Sequence, residues 1–452
     1  MMKKRFYLST TQIIMLTFLA ADLIGSVLLA LPISSATGQA VPYLDALFTS
    51  TTSVCVTGLV TVPTVTTWSV FGQVVILVLI QIGGLGVVTV MATMMLSLHK
   101  RIGIGDRILI QDAFNLNTLS GIVKFVKNVL LGTAIVEGAG ALLYMTVFVP
   151  QYGARGIWIS VFNSISAFCN AGLDILSENS LCDYALNPII NLTTSLLVIL
   201  GGIGFIVWWD VLSVLRNPRK GKQMGFSALT LHSKIALSMT FSLLLVGFLL
   251  FFVFEYNNPA TLKDLTLPQK LMVSFFQSMT TRTAGFATIP QENLSNASSI
   301  VSLGLMFIGG SPTGTAGGIK TVTIAVLFVS AFSSIKNRDD GALFQRTIKK
   351  GAVSKAVAVT CVAFLIQFVA AVLLEALTNA DVMDVLYEAI SATATVGLSR
   401  NFTGTLGPLG KIVVIVTMYL GRVGPVSLFV ALNTRRGKPN IIKNPSEQIS
   451  VG

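Results

Sequence analysis

The chain has 452 residues, of which 53% are hydrophobic and 11% are charged, and its formal net charge is +12. A soluble domain carries about 25% charged residues, so most of this chain is expected to face lipid or other apolar protein. A nucleic-acid-binding protein is excluded because 23 of the 31 Lys and Arg residues fall into five short clusters rather than on one basic face.

The basic clusters predict the topology. Cytoplasmic segments of membrane proteins collect Lys and Arg, so the chain between two clusters must leave the cytoplasm and return. Both termini are then cytoplasmic. A cleaved signal peptide is the alternative for the N-terminus, but the apolar run there is long for one. The clusters lie at 3–5, 100–127, 216–234, 336–355 and 435–443.

Long apolar runs separate the clusters. A membrane-crossing helix needs about 20 apolar residues. Runs long enough to cross lie at 13–31, 70–96, 195–214, 235–254 and 356–377. The four Cys residues show no paired spacing and the chain has only two His residues, so a zinc or haem site is not expected.

Polar strings ending in glycine interrupt the apolar sequence four times. They read FTSTTSVCVTGL (48–59), FNSISAFCNAGL (162–173), FFQSMTTRTAGF (275–286) and YEAISATATVGL (387–398). Each has an aromatic residue ten positions before a glycine, and the glycines Gly58, Gly172, Gly285 and Gly397 are 114, 113 and 112 residues apart. Ordinary connecting loops do not account for a period this regular, which indicates four internal repeats.

Each repeat is predicted to contain a helix, a short amphipathic piece of about 10 residues that cannot span, the polar string, and a returning helix. Repeats that start and end on the same side are parallel and surround a central path. The predicted fold is an all-α membrane protein with four parallel helix–pore loop–helix repeats, eight transmembrane helices and four re-entrant pore loops. The repeats are assigned to 1–100, 101–220, 221–335 and 336–434, followed by a short cytoplasmic tail at 435–452.

The strings are predicted to form an ion-selective filter. Non-helical backbone at membrane depth is tolerated where it is buried in protein or lines a water-filled path, and rings of carbonyls replace the hydration shell of an alkali cation. Glycine adopts positive φ without a steric penalty and lets four backbones approach. Asp381 and Asp384 suit the N-terminus of the fourth short helix. The candidate ion-binding residues are Val56, Thr57, Gly58, Asn170, Ala171, Gly172, Thr283, Ala284, Gly285, Thr395, Val396 and Gly397.

The third repeat contains a glycine-rich loop that is predicted to act as a gate. A small-residue step follows each filter glycine, at Gly83-Gly84, Gly201-Gly202, Gly309-Gly310 and Gly421-Arg422. Only in the third copy do polar residues break the apolar run, which resumes at Thr321, so the break is predicted at mid-membrane. A flexible helix end and a phosphate-binding loop are the weaker alternatives. The loop consists of Gly309, Gly310, Ser311, Pro312, Thr313, Gly314, Thr315, Ala316, Gly317 and Gly318.

Arg422 replaces the glycine found at this step in the other repeats. An arginine inside a membrane is costly and usually functional, so Arg422 is predicted to form one constriction with the glycine-rich loop. The alternative is a structural ion pair with a buried acid, for which Asp22, Glu137 and Glu388 are the candidates.

These features together resemble the Trk/Ktr/HKT superfamily of potassium transporters, and most closely its Ktr membrane subunits of the KtrB and KtrD type. The resemblance implies potassium uptake, with sodium as a candidate activating ion, and no tightly bound cofactor. It also implies a homodimer of two separate pores in the bacterial plasma membrane and a cytosolic ring of RCK subunits that bind ATP/ADP or NAD(H) and open the gate. In HKT members a serine in the first filter accompanies sodium transport, so Gly58 favours potassium.

A membrane enzyme and a membrane scaffold are the alternatives to a transporter. A membrane enzyme needs converging acid, base or metal-binding groups, and the sequence offers no His/Asp/Glu cluster. A membrane scaffold has no use for four registered glycines. The tail after Leu432 is about 20 residues, too short for a fused regulatory domain, so nucleotide sensing is expected from a separate polypeptide.

Overall fold

The computed structural model describes residues 10–86, 111, 121–216, 225–337 and 341–424. Its α-helices are α1 (Thr10–Ala30), α2 (Tyr43–Cys55), α3 (Thr64–Thr67), α4 (Val70–Leu85), α5 (Ile122–Tyr152), α6 (Ala154–Cys169), α7 (Pro188–Ile203), α8 (Phe205–Arg216), α9 (Leu231–Glu255), α10 (Leu267–Thr280), α11 (Asn296–Phe307), α12 (Thr321–Ile335), α13 (Lys350–Leu377), α14 (Val382–Ala394) and α15 (Pro408–Val423).

Short elements connect these helices. An antiparallel hairpin of β1 (Ala342–Leu343) and β2 (Arg346–Thr347) joins α12 to α13. The 3-10 helices are Pro32–Ser34, Cys182–Tyr184, Gly225–Ala228, Gln291–Asn293 and Thr403–Thr405. The N-terminal basic cluster at 3–5, most of the cluster at 100–127 and the tail at 435–452 lie outside the described residues.

Four helices are long and apolar enough to cross a membrane. Within the described ranges they are Thr11–Ala30, Val123–Tyr152, Leu231–Glu255 and Gly351–Leu377, and the bent pair α7–α8 counts as a fifth if it is one span. Side chains such as Leu142, Phe241 and Phe364 remain exposed on them. Apolar surface of this extent suits contact with lipid.

Four helices of 13 to 16 residues, α2, α6, α10 and α14, precede the polar strings. They are longer than the roughly 10 residues that the sequence indicated. Most of their residues are buried. The aromatic residues of the repeat in three copies, Phe48, Phe162 and Tyr387, are fully buried. In the third copy the predicted Phe275 is 37% exposed, and its neighbour Phe276 is buried instead. The third copy therefore packs one residue out of register.

The inner helices of the first and second copies end inside the apolar runs that were expected to cross the membrane. Helix α4 ends at Leu85 within the run at 70–96, of which 87–96 lie outside the described residues, and the run at 195–214 bends by 95° between α7 and α8. Gly86, Gly204 and Gly424 share one conformation, with φ of 84–98° and ψ of 133–137°. The inner helix therefore ends at a glycine of positive φ in these three copies, which the apolar sequence did not indicate.

Candidate functional site

The four polar strings have the same backbone conformation. Two residues before each glycine the chain enters the left-handed region, at Val56 (φ 55°), Asn170 (φ 58°), Thr283 (φ 64°) and Thr395 (φ 50°). The glycines that follow have φ values of 101°, 66°, 79° and 94°. Left-handed backbone is a genuine outlier for β-branched residues, and such strain persists where function needs it. Its recurrence indicates one shared role.

The strings meet at their glycines. A methyl group on Gly58 would lie 2.6 Å from the carbonyl oxygen of Ala171, and one on Gly172 would lie 2.6 Å from the Cα atom of Gly285. A methyl group on Gly285 would lie 2.8 Å from the carbonyl oxygen of Val396, and one on Gly397 would overlap the carbonyl oxygen of Thr57. Each glycine touches the next string, so the four form a closed ring with no room for a side chain.

Backbone carbonyls are the free polar groups of this ring. Among the described residues, no donor forms a hydrogen bond with a carbonyl at 56–58, 170–172, 283–285 or 395–397. Eleven of these twelve residues are buried and Gly397 is partly exposed. Buried carbonyls are nearly always paired, so carbonyls without a protein donor mark a place where oxygen atoms serve another purpose.

Hydroxyl groups of the short helices hold the strings in place. Thr52 and Ser391 accept hydrogen bonds from the N–H groups of Gly58 (2.9 Å) and Gly397 (3.0 Å). In the other two copies, the hydroxyls of Ser166 and Thr280 donate to the carbonyl of the residue after the glycine, and each bond is 2.5 Å long. Thr280 is five residues before its glycine and the other three are six before theirs, which repeats the register shift at Phe276.

An acidic cavity of about 290 Å³ lies against the ring. All four glycines line it, and so do the carboxylates of Asp174, Glu178 and Glu292. Asp174 is buried and accepts hydrogen bonds from the N–H groups of Leu176 (3.1 Å) and Ser177 (3.4 Å). Burial raises the pKa of Asp174 to about 6, although these donors oppose the rise. The cavity therefore favours cations at neutral pH.

The glycine-rich loop contacts the second repeat. The N–H groups of Ser311 and Thr315 donate to the carbonyls of Gly202 (2.8 Å) and Gly201 (3.1 Å), at the end of α7. The N–H of Phe205, at the bend of the same pair of helices, donates to Thr313 (3.2 Å).

The loop also reaches the strings themselves. The Thr315 hydroxyl lies 3.0 Å from the carbonyl of Phe168 and 3.0 Å from Oδ1 of Asn170. A methyl group on Gly317 would overlap the side chain of Thr395 in the fourth string. The loop therefore lies directly beneath the ring and is anchored on other repeats.

Arg422 contacts the loop rather than an acid. Its guanidinium donates to the carbonyls of Thr315 (2.6 Å) and Gly83 (2.5 Å). The three candidate acids have other partners: Thr51 donates to Asp22, Gln81 to Glu137, and Ser399 and Thr403 to Glu388. The salt bridges within the described ranges are Arg400–Asp384 and Lys411–Asp45. Among the described residues, Arg422 therefore forms no ion pair with Asp22, Glu137 or Glu388.

The structure gives several residues a supporting contact that the sequence did not indicate, including the glycines of the small-residue step. Gly83, Gly201 and Gly421 each lie so close to a carbonyl of the preceding short helix that a methyl group would overlap it. Arg282 lies inside the third string. Its guanidinium donates to the carbonyls of Thr240 and Gly309, and each bond is 3.3 Å long. A Ser or Thr six residues before the glycine, present in three copies, was a visible signal for the supporting hydroxyls. Asp381 caps α14 through the N–H of Met383, as predicted.

The family model described as "TrkH: Cation transport protein" matches residues 5–441. The chain belongs to the TrkH family of cation transport proteins. Within it the chain is of the Ktr type. It is 38% identical over 442 residues to the Ktr system potassium uptake protein B of Bacillus subtilis, covering 98% of this chain and 96% of that protein. It is likewise 38% identical over 460 residues to the potassium/sodium uptake protein NtpJ of Enterococcus hirae, covering 100% and 99%.

The fold of this TrkH-family chain also matches a solved structure. The crystal structure of the potassium transporter TrkH from Vibrio parahaemolyticus superposes with a TM-score of 0.73 at 17% identity, over 96% of this chain and 87% of that chain. The predicted superfamily is thus confirmed, and the family is one of cation transporters rather than enzymes. Together with the apolar helices it makes this an integral membrane protein. Among the described residues, no three His, Cys, Asp or Glu side chains cluster as a metal site.

Proposed function

We propose that this chain takes up potassium through the ring formed by its four polar strings. The observation that carries the proposal is the closed ring at Gly58, Gly172, Gly285 and Gly397, with buried carbonyls that accept no hydrogen bond from the described residues. Such oxygens replace the hydration shell of an alkali cation. The proposed filter comprises 56–58, 170–172, 283–285 and 395–397.

The charges around the ring favour a cation over an anion. Each short helix ends within five residues of its glycine, and a helix C-terminus carries a partial negative charge. The carboxylates of Asp174, Glu178 and Glu292 line the adjoining cavity. A cation would meet negative potential in the cavity and at the helix ends that surround the proposed filter.

The glycine-rich loop and Arg422 together are the proposed gate. The loop lies beneath the ring and hydrogen-bonds to the second repeat, and Arg422 holds its Thr315 carbonyl. A fixed positive charge opposes a cation far more in a narrow apolar passage than in water. Opening requires the loop to leave Gly201, Gly202 and Arg422.

The wider architecture follows from the same proposal. Four parallel helix–pore loop–helix repeats surround the pore, with boundaries near residues 100, 220 and 335, and both termini face the cytoplasm of a bacterial cell. The "Ktr system" in the names of relatives supports a partner subunit, which we propose to be cytosolic and nucleotide-binding, and we propose a homodimer of two pores. The name of NtpJ, which includes sodium, keeps sodium as a candidate activating or transported ion.

Reconstitution tests the transport proposal. The purified chain in potassium-loaded liposomes is expected to take up rubidium-86 and to prefer potassium over sodium as the competing ion. Expression in cells that lack their own potassium uptake systems is expected to restore growth at low potassium. Uptake no faster than in protein-free liposomes, together with failure to restore growth when the protein is present in the membrane, would contradict the proposal.

A further inference from the structure

A small internal cavity lies between the second and third strings and the start of the glycine-rich loop. Its volume is about 20 Å³, and Asn170, Thr240, Arg282 and Gly310 are among the residues that line it. A water molecule needs about 10–15 Å³ of such space, so the cavity has room for one. The remaining lining is largely apolar, from Val198, Ile199, Leu244 and Met279.

Three of the lining side chains have a polar atom without a protein partner. These atoms are Nδ2 of Asn170, Oγ1 of Thr240 and Nε of Arg282. The three residues are 1%, 6% and 7% exposed, so bulk water does not solvate them. Buried polar groups are almost always satisfied by protein or by ordered water. Three unpaired atoms around one cavity therefore point to a shared ligand.

The other atoms of these residues already bind the gate and its surroundings. The two terminal nitrogens of Arg282 donate to the carbonyls of Thr240 and Gly309, and Oδ1 of Asn170 lies 3.0 Å from the Thr315 hydroxyl. The Arg282 bonds are long, at 3.3 Å each, and no carboxylate within the described ranges forms a salt bridge with it. The Nε–H group of Arg282 is therefore left to be satisfied by a molecule in the cavity.

We propose that one internal water molecule bridges Arg282, Asn170 and Thr240, and that through this bridge Arg282 acts as a positioning residue that holds Gly309 and keeps the glycine-rich loop closed. The water accepts hydrogen bonds from the arginine and asparagine N–H groups and donates one to the threonine oxygen. This set of two donors and one acceptor suits a neutral molecule that can both donate and accept hydrogen bonds. The inference rests on the proposed gate.

Removing one partner of the water tests its effect on the gate. Thr240→Val keeps the shape but removes the hydroxyl, so flux without the regulatory partner is expected to rise about fivefold, the change that one ordinary net hydrogen bond corresponds to. Thr240→Ser keeps the hydroxyl and is expected to behave as the native protein. The matched control is Thr133→Val, which removes another buried, unpaired hydroxyl from an outer helix that does not line this cavity.

Thermal stability and the potassium-to-sodium ratio of the Thr240 variants separate positioning from general damage. The proposal predicts that both remain native while gating changes. Native gating in Thr240→Val, or an equal gain of flux in Thr133→Val, would overturn the positioning role.

Direct observation of the cavity separates this inference from the transport proposal. A structure of the native protein that shows ordered waters is expected to contain one density peak within hydrogen-bonding distance of Arg282 Nε and Asn170 Nδ2. An empty cavity, or an anomalous peak there after bromide soaking, would overturn the water. This measurement does not depend on transport, so failure of the gate in flux assays leaves the water itself testable.

Discussion

Two neighbouring layers of the molecule treat its fourfold repeat differently. In the ring layer all four copies share a left-handed residue and a positive-φ glycine. In the layer beneath, three copies end their inner helix in the same glycine turn at Gly86, Gly204 and Gly424, whereas the third copy inserts the glycine-rich loop. Binding an ion from all sides needs four equivalent strings, but closing one path needs only one insertion. The symmetric layer suits selection and the asymmetric layer suits control.

Deleting 311–317 breaks the asymmetric layer and should have the largest effect. The deletion removes the hydrogen bonds of the loop to Gly201, Gly202, Phe205 and Arg422. Each is worth about 1 kcal/mol net, so flux is expected to rise at least about a hundredfold. Flux should also lose its dependence on a regulatory partner, as measured by rubidium uptake into liposomes. Native flux in a well-folded deletion variant would show that the loop is not the barrier.

Gly58→Ser breaks the symmetric layer. The serine would be held at φ of 101° with its Cβ atom 2.6 Å from the Ala171 carbonyl. A non-glycine residue at this positive φ strains the backbone of one of the four strings by roughly 1–2 kcal/mol. The preference for potassium over sodium is therefore expected to fall about tenfold. The control is Gly38→Ser, at a positive-φ glycine with nothing within 4 Å. An unchanged selectivity ratio in competition assays would remove Gly58 from the filter.

Arg422→Gln sharpens the comparison within the lower layer. Glutamine can still donate to one carbonyl, so the variant loses about one bond and the positive charge. Flux is expected to rise about fivefold, less than in the deletion, with native selectivity. Arg155→Gln, at an exposed arginine, is the control. Poor expression and a lower melting temperature with no gain of flux would instead indicate a purely structural role for Arg422.

Asp174→Asn tests the acidic cavity next to the ring and should have the smallest effect. The pKa of Asp174 is about 6, so its carboxylate is charged at pH 7.5 and neutral at pH 5. The potassium concentration for half-maximal uptake is expected to be higher at pH 5 than at pH 7.5, because the cavity loses one negative charge. The difference should be only about twofold, because a single charge in this cavity contributes little. The Asn variant should show the pH 5 value at both pH values, whereas exposed Asp264→Asn should behave as native.

The same pKa predicts the effect of this variant on stability. Folding raises the pKa of Asp174, so its contribution to stability is greatest below the ordinary value of 3.8 and is lost as the pH rises through about 6. Asp174→Asn is therefore expected to be at least as stable as the native protein at neutral pH, as measured by thermal unfolding. An Asn variant that is less stable at pH 7.5 would contradict this sign.

The ring layer was more predictable from sequence than the layer beneath it. The glycine period and the aromatic residues identified the strings, since each copy must solve the same steric problem. The turns at Gly86, Gly204 and Gly424 were missed because apolar residues continue through two of them and hydropathy does not record φ. A glycine three residues after Gly83, Gly201 and Gly421 was the available signal.

Long-range contacts of the lower layer had no sequence signal. Arg422 binds backbone carbonyls 107 and 339 residues away, and a carbonyl exists at every position. Searching for an acidic partner was therefore the wrong test. The one-residue shift at Phe276 was hidden because Phe275 beside it satisfies the same pattern.

Rubidium anomalous scattering tests the central claim most directly. Crystals of the native protein grown in rubidium are expected to show a peak on the axis of the ring, within coordination distance of carbonyls from all four strings, including those of Thr57, Ala171, Ala284 and Val396. Gly58→Ser crystals should show a weaker or displaced peak. A well-ordered ring without a rubidium peak, or a peak coordinated only elsewhere, would contradict the account.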